Sequence, residues 1–350
     1  MPIADDQPSG KLAEASGTQA QVEPKRRDPL TNVLRTVKLR GALFFLVDAT
    51  SPWCVDIPPA KEFANVILPN ARHIVSYHVV VEGRGLARVD GIEPVHFGPG
   101  DIIVFPHGDP YVMSSGTGVP PELDREQTLR FFGDIVAGKL PFVITEGGGE
   151  NPKAKFICGF LGCEMSPFNP LFSTLPRILH VCRPSGRPDL LDQLIDLAIA
   201  EVRTPRVGGE SIRLGLSELM FVELLRRHFE ALSANDPGWL AGLRDPIVGR
   251  ALAWLHGEPA AAWTLDSLAR AAGASRSVLA ERFARYVGQT PMRYLTLWRM
   301  QIAARLLTDS ATKVAAVGEQ VGFQSEAAFS RTFKKVTGRS PTEWRRESAL

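Results

Sequence analysis

The chain has 350 residues, long for one domain and comfortable for two or three. Its 44% hydrophobic and 22% charged residues describe a globular protein with sizeable cores, and no run approaches the roughly 18 apolar residues that would cross a membrane. The net charge of +2 hides an asymmetry: residues 245–350 hold 15 Lys/Arg against 9 Asp/Glu, net +6, and the remainder holds 25 against 29, net −4. A basic final third points to a polyanionic partner.

Residues 1–27 are polar, rich in Pro, Gly, Ser and Gln, and lack an apolar h-region, so they read as a disordered tail rather than a signal peptide. Four cysteines without an export signal make no disulfide framework and suit a reducing cytoplasm. Between residues 28 and 185 short β-branched or aromatic runs alternate with Gly/Pro turns. Strands are expected at Ala42–Asp48, Arg72–Val81, Asp101–Phe105, Phe142–Thr145 and Lys155–Cys163, with Pro121–Gly138 as an insertion carrying one short helix. Many short strands with frequent turns predict an antiparallel barrel or sandwich.

After Arg187-Pro188 the period becomes helical. Leu190, Leu191, Leu194, Leu197 and Ala198 form one stripe, and Ile212, Leu216, Leu219, Val222, Leu225 and Phe229 another. Two helices joined by Thr204–Gly209 make residues 186–234 a hairpin connector with a predicted dimer interface, and Asn235-Asp236-Pro237-Gly238 marks a linker.

Residues 243–350 are all-helical and contain an internal repeat. Leu265, Leu268, Ala269, Gly273, Leu279, Phe283, Gly288, Thr290 and Pro291 recur as Val314, Val317, Gly318, Gly322, Phe329, Phe333, Gly338, Ser340 and Pro341. The second turn is one residue longer. Each copy fits a helix, a glycine turn needing positive φ, and a second helix pinned by its i,i+4 anchors. Ala269 and Gly318 mark the close helix crossing. Met292–Leu307 reads as an uninterrupted spacer helix with Leu295, Trp298, Ile302 and Leu306 on one stripe. Two helix-turn-helix units in tandem with a basic excess predict double-stranded DNA as partner; a duplicated hairpin with a solvated basic surface is the plainer alternative.

The run Val321-Gly322-Phe323-Gln324-Ser325-Glu326-Ala327-Ala328-Phe329-Ser330-Arg331-Thr332-Phe333-Lys334-Lys335-Val336-Thr337-Gly338-Arg339-Ser340-Pro341, followed by Trp344-Arg345, resembles the DNA-binding domain of AraC/XylS regulators, and the likeness extends over residues 245–346. Gly318 stands where that family usually has Ala, and Trp344 where it has Tyr. The resemblance implies base reading by Ser277, Ala280 and Glu281 in the first unit and by Glu326, Ala327 and Arg331 in the second. Arg331 can bond guanine bidentately; Glu281 either accepts from cytosine or is a solvated charge. Arg276, Arg285, Lys334, Lys335 and Arg339 are assigned to phosphates. RNA polymerase is a further partner implied by the family.

The stretch His73–Gly83, Asp90-Gly91 and Phe97–Gly108 resembles the two motifs of a cupin barrel, and more narrowly the cupin sensor found ahead of some AraC-type regulators. Phe156-Ile157-Cys158-Gly159 and Asn169-Pro170-Leu171 to Leu175-Pro176 fit that subgroup, over residues 28–182. Cupin enzymes bind metal through such motifs. His78 and Glu82 are the matching candidates, with His107 beside them and His73 or His96 as further donors, but Tyr111 stands where the second motif supplies its histidine. Some regulators of this group respond to oxidants through cysteines. That makes Cys158, Cys163 and Cys54 redox candidates, against the reading of small buried hydrophobes.

The expected fold is therefore α+β and multidomain: a cupin-like antiparallel β-barrel, a helical connector and an all-α tandem helix-turn-helix domain. The expected function is transcription regulation, controlled by a small molecule or oxidant sensed in the cupin-like domain, with no cofactor. A cupin metalloenzyme fused to a DNA-binding module and an architectural DNA-binding protein are the alternatives.

Overall fold

A computed structural model describes residues 28–36, 38–69, 71, 73–141, 143–147, 149, 153–164, 167–182, 190–204, 206–233 and 236–348. The segment 1–27, expected to be a tail, lies outside them.

The first half is a two-layer β structure. After α1 (Pro29–Thr36) come β1 (Lys38–Thr50), β2 (Cys54–Ile57), α2 (Ala60–Ile67), β3 (His73–Glu82), β4 (Gly85–Arg88), β5 (Val95–Phe97), β6 (Ile102–Phe105) and β7 (Tyr111–Ser114). The insertion forms α3 (Arg125–Val136), started by a capping box between Asp124 and Gln127. Then follow β8 (Val143–Glu146), β9 (Lys153–Glu164) and β10 (Leu179–Val181). One sheet has the order β10-β6-β3-β9-β1-β8 and the other β2-β7-β4-β5. The described pairings are antiparallel except β1 with β8, so the larger sheet is mixed where an antiparallel barrel was expected.

Both faces of the six-stranded sheet are covered, which is why its strands read as nearly continuous apolar runs. Phe45, Val47, Phe156, Phe160, Ile103 and Phe105 pack in the inner core between the sheets. Their neighbours Phe44, Leu46, Ile157, Leu161, Ile102 and Val104 belong to an outer core on the opposite face. Strand alternation assigns each residue to its side.

Helices α4 (Leu190–Arg203) and α5 (Gly209–Ala231) form the expected hairpin and line that outer face. Beyond them lie α6 (Trp239–Arg244), α7 (Val248–Gly257), α8 (Leu265–Ala272), α9 (Arg276–Val287), α10 (Pro291–Asp309), α11 (Val314–Gln320), α12 (Glu326–Thr337) and α13 (Pro341–Ser348). The outer core runs without a break from the sheet through α4–α9 to Tyr294, Leu295 and Trp298 of α10. Met300, Ala303, Ala304 and Leu307, from the second half of α10, join a separate core with Val317, Val321, Phe329, Phe333 and Trp344. Serving two cores, α10 is buried on more than the single stripe expected, and Ile302 and Leu306 are only half-buried.

Candidate functional site

The repeat folds as two helix-turn-helix units, α8–α9 and α11–α12. Gly273 and Gly322 hold φ of 69° and 85°, the left-handed conformation that closes the turn. In both units the residue after the glycine donates its N–H back five positions: Ala274 to Ala269 O and Phe323 to Gly318 O, each 2.9 Å. In the second turn, one residue longer, Phe323 packs edge-on to Phe329. Ser275 and Ser325 then cap α9 and α12, accepting from Val278 N and Ala328 N at 3.3 and 3.2 Å. The closing Gly-x-Thr/Ser-Pro motif ends one helix at Gly288 or Gly338 and starts the next, with Thr290 or Ser340 as cap and proline in the first turn.

Leu279, Phe283, Phe329 and Phe333 are fully buried, so the opposite faces of α9 and α12 look outward. Ser277, Glu281, Glu326, Ala327 and Arg331 are exposed, and Ala280 is half-buried. Lys334 and Lys335 extend from the last turn of α12. Arg285 lies over the Tyr286 ring at 5.5 Å. Arg276 is 3.2 Å from Asp266, and Arg339 is paired with Glu347. Both are surface ion pairs worth at most ~1 kcal/mol, weak enough for a phosphate to replace. Nineteen residues of α10 span roughly 28 Å between the units.

The first unit shares one core with the sheet domain, and α6, α7 and α10 make the connection. Trp239 Nε1–H donates to the Tyr294 hydroxyl at 2.8 Å, His256 Nε2 lies 2.6 Å from the same oxygen, and all three side chains are buried. Phe168, between β9 and β10, meets the Tyr294 ring edge-on, and its N–H donates to Gln301 Oε1 at 2.9 Å. The same segment continues to Phe172, stacked on Phe221 of α5, and to Leu175, whose carbonyl accepts from His107 Nε2–H at 2.9 Å. The segment Phe168–Leu175 is thus a junction between sheet, hairpin and α10. Asp245 was unmarked in the sequence; it caps α7 and holds Arg282 of α9.

Inside the sheet domain the expected metal set is not assembled. His78 is buried with Nε2 2.8 Å from the Tyr111 hydroxyl and Nδ1 3.1 Å from Cys158 Sγ. Tyr111 therefore plugs the place where a second-motif histidine would bind. Burial pulls the His78 imidazole down to about 3. A bulge between Val80 and Glu82 breaks the strand alternation that would have put Glu82 on the His78 face, and Glu82 pairs with Lys155 at 3.6 Å in solvent. His107 is engaged by the Leu175 carbonyl, and His73 by the Pro106 carbonyl at 2.6 Å. His96 is exposed on β5.

The redox candidates are placed unfavourably for thiolate chemistry. Cys158, Cys163 and Cys54 are buried. Burial pushes the Cys158 thiol well above its ordinary range, with the Glu146 charge adding, and raises Cys54 as well. The exposed thiol is Cys182.

Two adjoining hollows open between the sheets. The inner one is walled by aromatic residues, among them Phe45, Trp53, Phe131 and Phe156. The outer one, about 240 Å³, is bordered by Asp56, Glu122, Thr128 and Phe131. Glu146 borders both; burial, reinforced by Glu122, raises its carboxyl to about 7. The Trp53 indole N–H is buried without a partner among the described residues. No motif marks either residue in the sequence.

A Cupin family model matches residues 28–230, and a helix-turn-helix domain model matches residues 268–347. An AraC-like transcription regulator of Streptomyces antibioticus is 31% identical over 322 residues, spanning 91% of this chain and 98% of its own. Another, of Streptomyces lividans, is 32% identical over 325 residues, 92% of this chain and 99% of its own. The crystal structure of the DNA-binding domain of AdpA, a global transcriptional factor in complex with a target DNA, is 30% identical with a TM-score of 0.28, covering 29% of this chain and 92% of that one.

Proposed function

Because the chain belongs to the AraC-like DNA-binding transcription regulators, with a cupin domain ahead of its helix-turn-helix domain, we propose that α9 and α12 enter successive major-groove segments on one face of the duplex, about 34 Å apart. The observation that carries this is the outward face of both helices: exposed at their N-terminal turns and anchored behind by buried Leu and Phe. Ser277, Ala280, Glu281, Glu326, Ala327 and Arg331 meet base edges; Arg276, Arg285, Lys334, Lys335 and Arg339 meet phosphates. Action on DNA and on RNA polymerase gives the protein a cytoplasmic home.

The sheet domain receives the signal, and a small molecule fits it best. The hollow beside Glu146 and Trp53 offers apolar walls, a carboxyl group and an unpartnered donor, the usual makings of a ligand pocket. The hairpin supports a homodimer. Leu190 and Leu197 of α4 and Ile212 and Leu219 of α5 are about half exposed and spaced by seven residues, an apolar stripe that a second copy would cover.

Footprinting titrations, with sedimentation of the same samples, test the reading. Arg331→Ala should weaken operator binding by ~1–3 kcal/mol and relax specificity at one base position; unchanged affinity removes Arg331 from the reading set. Leu197→Asp with Leu219→Asp should turn a dimer into a monomer in the same samples by sedimentation, and a wild-type monomer would refute the interface. Glu146→Leu should abolish the footprint change produced by any small effector. A change produced by hypochlorite and abolished by Cys158→Ser would move the signal to the thiols.

A further inference from the structure

The edge of the six-stranded sheet carries a polar cluster that belongs neither to the hollow nor to the DNA-facing helices. His180 lies in β10 opposite Ile103, and Val181 lies opposite Ile102. One step further along this antiparallel register sets Cys182 opposite Asp101. Leu179 and Val181 turn into the outer core, so alternation puts His180 and Cys182 together on the other face. The side chains converge accordingly. His180 Nε2 is 3.0 Å from Asp101 Oδ2 and 3.6 Å from Cys182 Sγ, and one ligand atom from each residue lies within 4.8 Å of the others. Among the described residues no other three His, Cys, Asp or Glu side chains meet in this way.

We propose that Asp101, His180 and Cys182 bind one zinc-class divalent metal ion. On a tetrahedral zinc, nitrogen at about 2.0 Å and sulfur at about 2.3 Å stand roughly 3.5 Å apart, and nitrogen and oxygen roughly 3.3 Å. The nitrogen–sulfur spacing is already present, and the nitrogen–oxygen spacing needs a few tenths of an ångström. Imidazole and thiolate donors select zinc over magnesium or calcium. Asp101 Oδ2 also accepts from Gly98 N–H at 2.8 Å, which orients the carboxylate. The exposure of Cys182 leaves an entry path. On binding, the thiol releases its proton to solvent and coordinates as thiolate; the fourth position is left to water. Cys182 follows the last residue of β10 and Asp101 precedes β6, so the metal ties together the ends of two paired strands.

The test uses the full chain, stripped with a chelator and titrated with Co²⁺. One ion per chain is expected, with a thiolate-to-cobalt charge-transfer band and tetrahedral d–d absorption, both removed by added Zn²⁺. Cys182→Ser, at an exposed position where folding is untouched, should erase the charge-transfer band. His180→Gln should weaken cobalt binding by more than about 100-fold, since even outer-shell partners cost 10–100-fold. No metal uptake, a band that survives Cys182→Ser, or unchanged affinity in His180→Gln would each overturn the site.

Discussion

Where the first helix-turn-helix unit places Ala269 and Leu279, the second places Gly318 and Phe329, and the two units are held in different ways. The first shares the outer core with the sheet, the hairpin and the Phe168–Leu175 junction. The second has its own small core and leans on the rest of the chain through α10 and through the close approach of Gly322 to the Ala260 backbone. A repeat that looks symmetric in sequence is therefore asymmetric in packing: the first unit shares the core that reaches the sheet domain, and the second sits in a core of its own.

The largest test of that contrast removes one anchor from each unit. Phe283→Ala and Phe333→Ala should each cost about 3–5 kcal/mol. Hydrogen exchange should differ in reach, spreading in Phe283→Ala to residues 168–175 and α5, and staying within α10–α13 in Phe333→Ala. Equal loosening of the junction by both variants would erase the distinction.

Acid should separate the units next. Burial holds His256 at about 3, below its unfolded value of about 6.5. Between those values the unfolded chain carries a proton that the folded chain refuses, so stability is lost as pH falls, by up to about 1.4 kcal/mol per pH unit. His78 acts in the same direction in the sheet domain, whereas residues 300–348 contain no histidine. Amide protection measured at pH 7 and pH 5 should therefore fall in α7–α9 before α11–α13. Loss in step, or first in α11–α13, would contradict the assignment.

The smallest expected effect concerns the departure at Gly318. A Cβ there would sit 3.0–3.1 Å from Phe329 atoms, so glycine is the partner of the larger anchor. Gly318→Ala should gain up to ~1 kcal/mol of helix propensity and lose at least as much in crowding. Combined with Phe329→Leu, the crowding should vanish and a favourable coupling of ~0.5 kcal/mol or more appear in a double-mutant cycle of thermal unfolding. Additive effects would detach Gly318 from Phe329.

Features that depend on neighbours in sequence were legible. The turn glycines, the Gly-x-Thr/Ser-Pro helix junctions and the exposed faces of α9 and α12 follow from local backbone demands and the 3.6-residue period. Short elements such as α2, eight residues between prolines and a strand, leave too few periods to be read.

The sequence by itself determined the tandem recognition units and the alternation of the strands, because φ preference and periodicity act within a few residues. Tertiary structure alone decided which distant side chains meet. It put Tyr111 against His78, turned Glu82 outward at a bulge, buried Cys158, and joined Trp239, His256 and Tyr294 beneath the first unit. It also drew Asp101 to His180 and Cys182. Those encounters depend on register and packing across many residues, and a one-residue slip in a strand reverses every face.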